Sequence, residues 1–302
     1  MAMNWAMLES LSVQEVAAAL SGAGLAISID PYLFRIRSEV DGLAEPLRVL
    51  YGDYPTAAGE AEFFDADIVL TRNRRGQVEF RWNGPTSFPE LPHSQALPLL
   101  EWGLNWCIAT MSGAAIVMHA AVVERNGHAL VLPGEPGSGK STLCAELSLS
   151  GWRLLSDELT IIDPETRRIQ PVPRPISLKE GSIDLIARRH PDATITDPIS
   201  ETRKGAIAYV KPPQAAIERR AEAVPLRTVL FPTFAADAKE AEVEPVTRAR
   251  TLAKLLDNCF NVGLLGHQGF EVLAEVVAGA ESFQARYGDM SDVIAWLDRN
   301  CP

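Results

Sequence analysis

The chain is short of cysteine and of positive charge, and each shortage narrows what it can be. Only four cysteines occur in 302 residues. Cys107, Cys144, Cys259 and Cys301 are scattered, with no C-x-x-C and no cysteine–histidine cluster. That argues against a structural zinc site and favours free thiols in a reducing cytosol. Lysine and arginine number 28 against 39 aspartates and glutamates, a net charge of −11, with a pI near 5.0. An acidic chain of this kind is a poor match for nucleic acid or an anionic membrane as main partner. No apolar run approaches the roughly 18 residues needed to span a bilayer. Met1 to Ser12 has no basic start and is interrupted by Glu9, so it does not read as a signal peptide. The expected location is cytoplasmic. There is no internal repeat and no low-complexity segment. What remains is an ordinary globular composition, 47% apolar and 22% charged, in a chain long enough to bury a full core in one or two domains.

The strongest positive feature is Gly134-Glu135-Pro136-Gly137-Ser138-Gly139-Lys140-Ser141. It fits the phosphate-loop pattern G-x-x-x-x-G-K-[ST] at every fixed position. Ahead of it, His128 to Leu132 reads as a short buried strand. Behind it, Thr142 to Leu147 reads as a helix that Gly151 is placed to end. Strand, glycine loop and helix is the order such chemistry requires. Glycines let the backbone wrap phosphate oxygens, and free N–H groups at the helix start bring partial positive charge. In this reading the backbone from Gly134 to Thr142 cradles a nucleoside triphosphate, Lys140 reaches the β- and γ-phosphates, and the Ser141 hydroxyl holds Mg²⁺.

The rest of the chain divides in two. Ser12-Val13-Gln14-Glu15 predicts a capping box opening a short helix that fades at Ser21-Gly22. From Leu25 to about Trp82 the pattern has period two. Strands are expected at 25–29, 33–37, 47–51, 67–70 and 78–82, separated by turn residues as in an antiparallel meander. Pro85 to Pro92 reads as a proline-rich connector, and Ala96 to Met111 as a mostly buried helix. Ile116 to Val123 is a strand closed by the hairpin signal Asn126-Gly127, whose partner strand feeds into the glycine loop. Further strands are expected at 152–155, 159–162 and 282–286. Helices are expected at 182–189, from the Thr247 cap to Asn258, at 270–278 and at 292–299. Asp192 to Pro213 is polar and irregular, the best candidate for a mobile loop.

Asp157 and Glu158 follow Lys140 by 17 and 18 residues, where a strand returns beside the loop. Carboxylates there can hold Mg²⁺ or accept a proton from a substrate hydroxyl. The bland alternative is a solvated acidic turn. His119 lies in an apolar strand, where a lone histidine is commonly a hydrogen-bonded core residue.

Three pieces taken together resemble the HPr serine kinase/phosphorylase family and related kinases with a phosphoenolpyruvate-carboxykinase-like catalytic fold. They are Met118-His119-Ala120-Ala121-Val122, the glycine loop, and Gly151-Trp152-Arg153-Leu154-Leu155-Ser156-Asp157-Glu158. The family reads M-H-G, the phosphate loop and G-H-R-L-x-A-D-D at similar intervals. The resemblance implies that His119 sits near the reacting phosphoryl group and that Lys140 neutralises its developing charge. It also implies that Ser141 and Asp157 ligate Mg²⁺, and that the catalytic carboxylate falls on Glu158, with Asp157 in the first acidic position; Glu in place of the family's Asp is longer by one methylene, which leaves open which of the two is the base. The family's segment L-E-I-R-G-L-G-I-I, source of a magnesium-binding glutamate, is absent; Glu180 falls near its place. The later basic segment is missing too, and Arg203 and Lys204 stand as substitutes for phosphate contact.

The resulting fold expectation is α/β: an HPr-kinase-like P-loop catalytic domain with a mixed sheet over 93–302, preceded by a small antiparallel β-rich domain over 1–92. The functional expectation is an ATP- and Mg²⁺-dependent kinase. It would transfer the γ-phosphoryl group to a hydroxyl, a serine of a small protein or peptide, and the resemblance implies a homo-oligomer. Two alternatives stay open: a kinase of a small hydroxyl-bearing metabolite, and a regulator that binds ATP without transferring phosphate.

Overall fold

The computed structural model describes residues 5–58, 63–83 and 88–301. It is an α/β protein with mixed sheets, in two compact units. The first unit is built from the chain up to 111 together with 177–217, and the second from 112–176 together with 218–302. The expected single cut near residue 92 falls inside the first unit. The expected connector begins at Pro85 to Ser87, outside the described residues.

The first stretch contains β1 (Ala6–Met7), α1 (Val13–Ser21), β2 (Leu25–Ile29), β3 (Tyr32–Ser38), α2 (Ala44–Leu50), β4 (Pro55–Ala58), β5 (Ala66–Arg72), β6 (Val78–Trp82) and α3 (Ala96–Met111). The capping box forms as its residues require: Ser12 Oγ accepts from the Glu15 N–H, and the Glu15 carboxylate accepts from the Ser12 N–H. The six strands lie in the order β1-β4-β2-β3-β5-β6. This is not the expected meander, because β3 and β5 pair in parallel. The cause is α2, a helix where alternation suggested a strand at 47–51. Ala44, Leu47 and Leu50 recur at helical spacing and are all buried, and the helix carries the chain into a crossover. α3 belongs to this unit because it packs on β5 and β6. Gly103 passes so close to Phe80 that a Cβ would sit 2.0 Å from its ring, and Tyr51 donates a 2.7 Å hydrogen bond to buried Glu101.

The second unit begins with β7 (Ile116–Arg125), β8 (His128–Pro133), α4 (Lys140–Leu149), β9 (Arg153–Ser156), β10 (Leu159–Ile162) and β11 (Arg168–Gln170). The chain then returns to the first unit as β12 (Ile176–Lys179), α5 (Gly181–Arg189), β13 (Ile199–Thr202), β14 (Gly205–Val210) and the short α6 (Gln214–Glu218). A three-stranded sheet β12-β14-β13 results. The segment expected to be an irregular loop therefore holds a hairpin. The apolar run Ala206-Ile207-Ala208-Tyr209-Val210, buried from Ile207 onward, supplies the strand that its polar flanks hide.

The chain closes the second unit with β15 (Val224–Phe234), β16 (Glu242–Pro245), α7 (Arg248–Asn258), α8 (Val262–Ala278, broken at Gly266), β17 (Glu281–Tyr287) and α9 (Met290–Asn300). Its strands run β11-β10-β7-β8-β15-β17-β16, with β9 on β7 and β11 also on β15. β15 pairs in parallel with both β8 and β17, and the other ladders are antiparallel. Met118, Ala120 and Val122 of β7 point into a core shared with Val131, Val229, Leu255, Val272 and Leu273. Val117, Ala121 and Val123, on the opposite face, are buried as well, which leaves His119 and Arg125 as the residues of β7 that are not fully buried.

Candidate functional site

β7 changes partners halfway along, and the change falls at His119. Its first half pairs with β10, with His119 opposite Leu159, and its second half with β9, with Val122 opposite Ser156. The junction between β9 and β10 is Asp157-Glu158. On the other edge, Met118 bridges Cys259, while Ala120 lies opposite Pro133, the last residue of β8 before the glycine loop. The histidine, the acidic turn and the entrance to the loop are therefore brought together by strand register, in the second unit alone.

The loop from Gly134 runs directly into α4. Gly137 and Gly139 have φ of 86° and 95°, backbone that favours glycine. Gly139 is the N-cap of α4, and a Cβ there would come within 3.0 Å of the Tyr287 hydroxyl. Phe234 N–H donates to Ser138 O at 3.1 Å, which ties the loop to the end of β15. Ser138 Oγ is buried with no hydrogen-bond partner among the described residues. Lys140 is only 8% exposed. Its Nζ donates to the carbonyl oxygens of Gly134 and Glu135, the latter at 3.1 Å, so the ammonium is folded over its own loop. Glu135, Pro136 and Gly137 are exposed, and Ser141 and Thr142 are half-buried.

The acidic turn is held from below. Ser156 Oγ accepts from the Leu159 N–H at 3.1 Å, closing the turn around Asp157 and Glu158. Asp157 is 5% exposed. Burial first, and then the charge of Asp157, push the Cys144 thiol well above its ordinary value. Cys144 lies three residues beyond Ser141 and hence on the same side of α4, which sets Asp157 against the helix that opens with Lys140 and Ser141. Glu158 faces the other way: its Oε2 lies 3.1 Å from His119 Nε2. The solvated-turn alternative thus fits Glu158 in part and Asp157 not at all.

Sequence reasoning missed the residues that support this group from a distance. Phe260 stacks on His119, with ring centroids 6.2 Å apart and planes at 25°. Its N–H donates to Val117 O at 2.8 Å. Buried Asn261 accepts from Val117 N–H at 3.0 Å and donates to Ala115 O at 2.7 Å. Tyr287 and Phe234, in edge-to-face contact, flank Gly139. These side chains lie about a hundred residues or more from their partners, beyond the reach of any local pattern.

Other named residues lie in the first unit. Glu180 has φ 49°. Its backbone N–H donates to Ala206 O and its carboxylate accepts from Ala206 N–H, each at 3.0 Å. The contact visible for it pins the β14 hairpin. Arg203 is exposed at the hairpin turn, and Lys204 Nζ sits 5.4 Å from the centroid of the Trp102 ring.

A second buried ionic group braces the strand that bears His119. Arg153 of β9 pairs with Glu124 of β7 at 2.6 Å, with both side chains 3% exposed. The same arginine donates to the carbonyls of Arg219 and Glu222, and Glu124 also accepts from the Gly127 N–H at the hairpin turn. Burial raises the Glu124 carboxyl, but the hydrogen bonds from Arg153 and Gly127 and the charges of Arg153 and Arg219 outweigh it and leave it below its ordinary value.

No family model matches the chain. It is similar to the HPr kinase/phosphorylase of Nitrosomonas europaea, at 32% identity over 94 residues, covering 27% of this chain and 29% of that protein. The matched stretch thus spans under a third of the curated relative. Part of this chain therefore resembles a kinase. No helix among the described residues is long and apolar enough to cross a membrane. All four cysteines are free thiols.

Proposed function

We propose that this protein is an ATP- and Mg²⁺-dependent kinase that transfers the γ-phosphoryl group to a hydroxyl, a serine of a small protein or peptide. One observation carries the reading. The switch of β7 between partners sets a glycine loop on one side of His119 and a carboxylate turn on the other. A nucleotide-binding module needs the loop; the carboxylate and histidine are what phosphoryl transfer adds.

The residues present fit the groups. Left-handed glycines expose loop N–H groups, and the Ser138 hydroxyl, without a partner among the described residues, is a further donor. Lys140 would exchange its bonds to the loop carbonyls for phosphate oxygens. Among the described residues no cluster of three or more His, Cys, Asp or Glu could hold a metal by itself. Mg²⁺ is usually held by one or two carboxylates together with substrate phosphates. Ser141 and Asp157 would hold it, and it would supply neutralising charge at the phosphates.

In the step itself, the acceptor oxygen bonds to the γ-phosphorus as the bond to the β,γ-bridging oxygen breaks. ADP leaves with that electron pair, and the hydroxyl proton passes to Glu158 or Asp157. His119 holds the Glu158 carboxylate in place, and Lys140 stabilises the charge on the transferred group.

The test is transfer of labelled γ-phosphate with wild type, Lys140→Ala and Glu158→Gln, in lysate depleted of its own kinases. A labelled polypeptide lost in both variants supports the reading. Label on a small molecule instead moves the acceptor to a metabolite. Tight ATP binding with no transfer to anything overturns the kinase reading in favour of a nucleotide-binding regulator.

A further inference from the structure

Phe260 is an apolar ring that water should disfavour, yet it is 60% exposed. Isolated exposed apolar residues are common and need no explanation. This one is held in place by three separate interactions. Its own N–H is bonded to Val117 O, Cys259 before it bridges Met118, and Asn261 after it is buried with bonds to the backbone of Ala115 and Val117. Segment 259–261 is in effect a short extra strand on the free edge of β7. Its backbone fixes the Phe260 ring over the imidazole of His119, with planes 25° apart. The opposite end of that imidazole meets Glu158. A half-exposed histidine otherwise rotates among rotamers and between ring flips.

We propose that Phe260, clamped to β7 by Asn261, is a positioning residue that fixes the plane of the His119 imidazole and so aims its Nε2 at Glu158. The stacked ring blocks rotation about the Cα–Cβ and Cβ–Cγ bonds on one side, while the carboxylate captures Nε2 on the other. For the imidazole this selects one ring orientation. When His119 is neutral, it also selects the tautomer with hydrogen on Nε2, because an ionised carboxylate only accepts. The consequence for phosphoryl transfer rests on the kinase reading above; the geometric claim does not.

Two substitutions separate the possibilities. Phe260→Leu keeps apolar bulk but removes the flat surface, and Phe260→Tyr restores it. Because the side chain is largely exposed, neither threatens the core. The first readout is the pair of imidazole ¹⁵N shifts of His119 in the nucleotide-free protein, which report tautomer and protonation far more strongly than a neighbouring ring current. Wild type and Phe260→Tyr should show one dominant tautomer, and Phe260→Leu a mixture. The second readout is transfer kinetics. Phe260→Leu should lower kcat about tenfold, in keeping with the cost of small misplacements in catalytic geometry, while the KM for ATP stays within about twofold. Phe260→Tyr should recover the rate.

Wild-type tautomer populations in Phe260→Leu would overturn the proposal. So would equal loss of rate in the leucine and tyrosine variants, because a flat ring at this position would then not be what sets the rate. If the ¹⁵N shifts respond as expected but wild type transfers no phosphate, the positioning role stands and the kinase reading falls.

Discussion

His119 and Glu158 are 39 residues apart in sequence, and their side chains meet at 3.1 Å because the register of β7 and β10 sets Leu159, the next residue after Glu158, opposite His119.

 That register, rather than any local motif, brings the two side chains together.

If Glu158 takes the acceptor proton, Glu158→Gln should lower kcat about a hundredfold or more, the usual share of general base catalysis, and leave the KM for ATP near wild type. Labelled-phosphate kinetics check this. A larger loss in Asp157→Asn with little loss in Glu158→Gln would transfer the base to Asp157.

Lys140→Ala should weaken ATP binding, measured by calorimetry with Mg²⁺ present. Losing a charge-assisted hydrogen bond costs about 1.5–3 kcal/mol, or roughly ten- to hundredfold in Kd. An unchanged Kd would remove Lys140 from the nucleotide site.

Gly139→Ala combines an unfavourable φ of 95° with a Cβ 3.0 Å from the Tyr287 hydroxyl. A left-handed conformation alone costs a non-glycine residue about 1–2 kcal/mol. Thermal unfolding should show that loss, and ATP affinity should fall with it. Adding Tyr287→Phe should recover the part due to crowding and leave the part due to φ.

The Glu124 carboxyl is held below its ordinary value of 4.5 in the folded protein. Its contribution to stability is therefore fully present above about pH 4.5 and is lost as the pH falls through the folded value. Glu124→Gln should cost about 3–5 kcal/mol at pH 7, as breaking one side of a buried pair does. It should also flatten the acid limb of stability against pH, followed by urea unfolding between pH 3 and 7 (about the span over which carboxylates titrate). A variant that keeps the wild-type acid limb would show that other carboxylates set it.

Where local chemistry decides the structure, the residues could be read directly. Ser12 and Glu15 announce a capping box and form one. Asn126 and Gly127 announce a hairpin turn and adopt φ of 53° and 80°. The 16 residues of α3 have the bounds their apolar character suggests. Reading failed where two periods fit the same letters: Leu47, Val49 and Tyr51 alternate like a strand, but Ala44, Leu47 and Leu50 bury a helical face. It failed again at Gly205 to Val210, where a short strand lies among polar neighbours. Within the candidate site, the loop and the acidic pair were visible because they are contiguous. Phe260, Asn261 and Tyr287 were not, because nothing near them in sequence encodes what they touch.

Asn261 bonds to the backbone of Val117 across 144 positions of chain. A ribosome making this protein therefore completes the glycine loop and the acidic turn long before it delivers the segment that steadies His119. The bond that ties β7 to segment 259–261 therefore forms only late in synthesis, after the glycine loop and the acidic turn have been made.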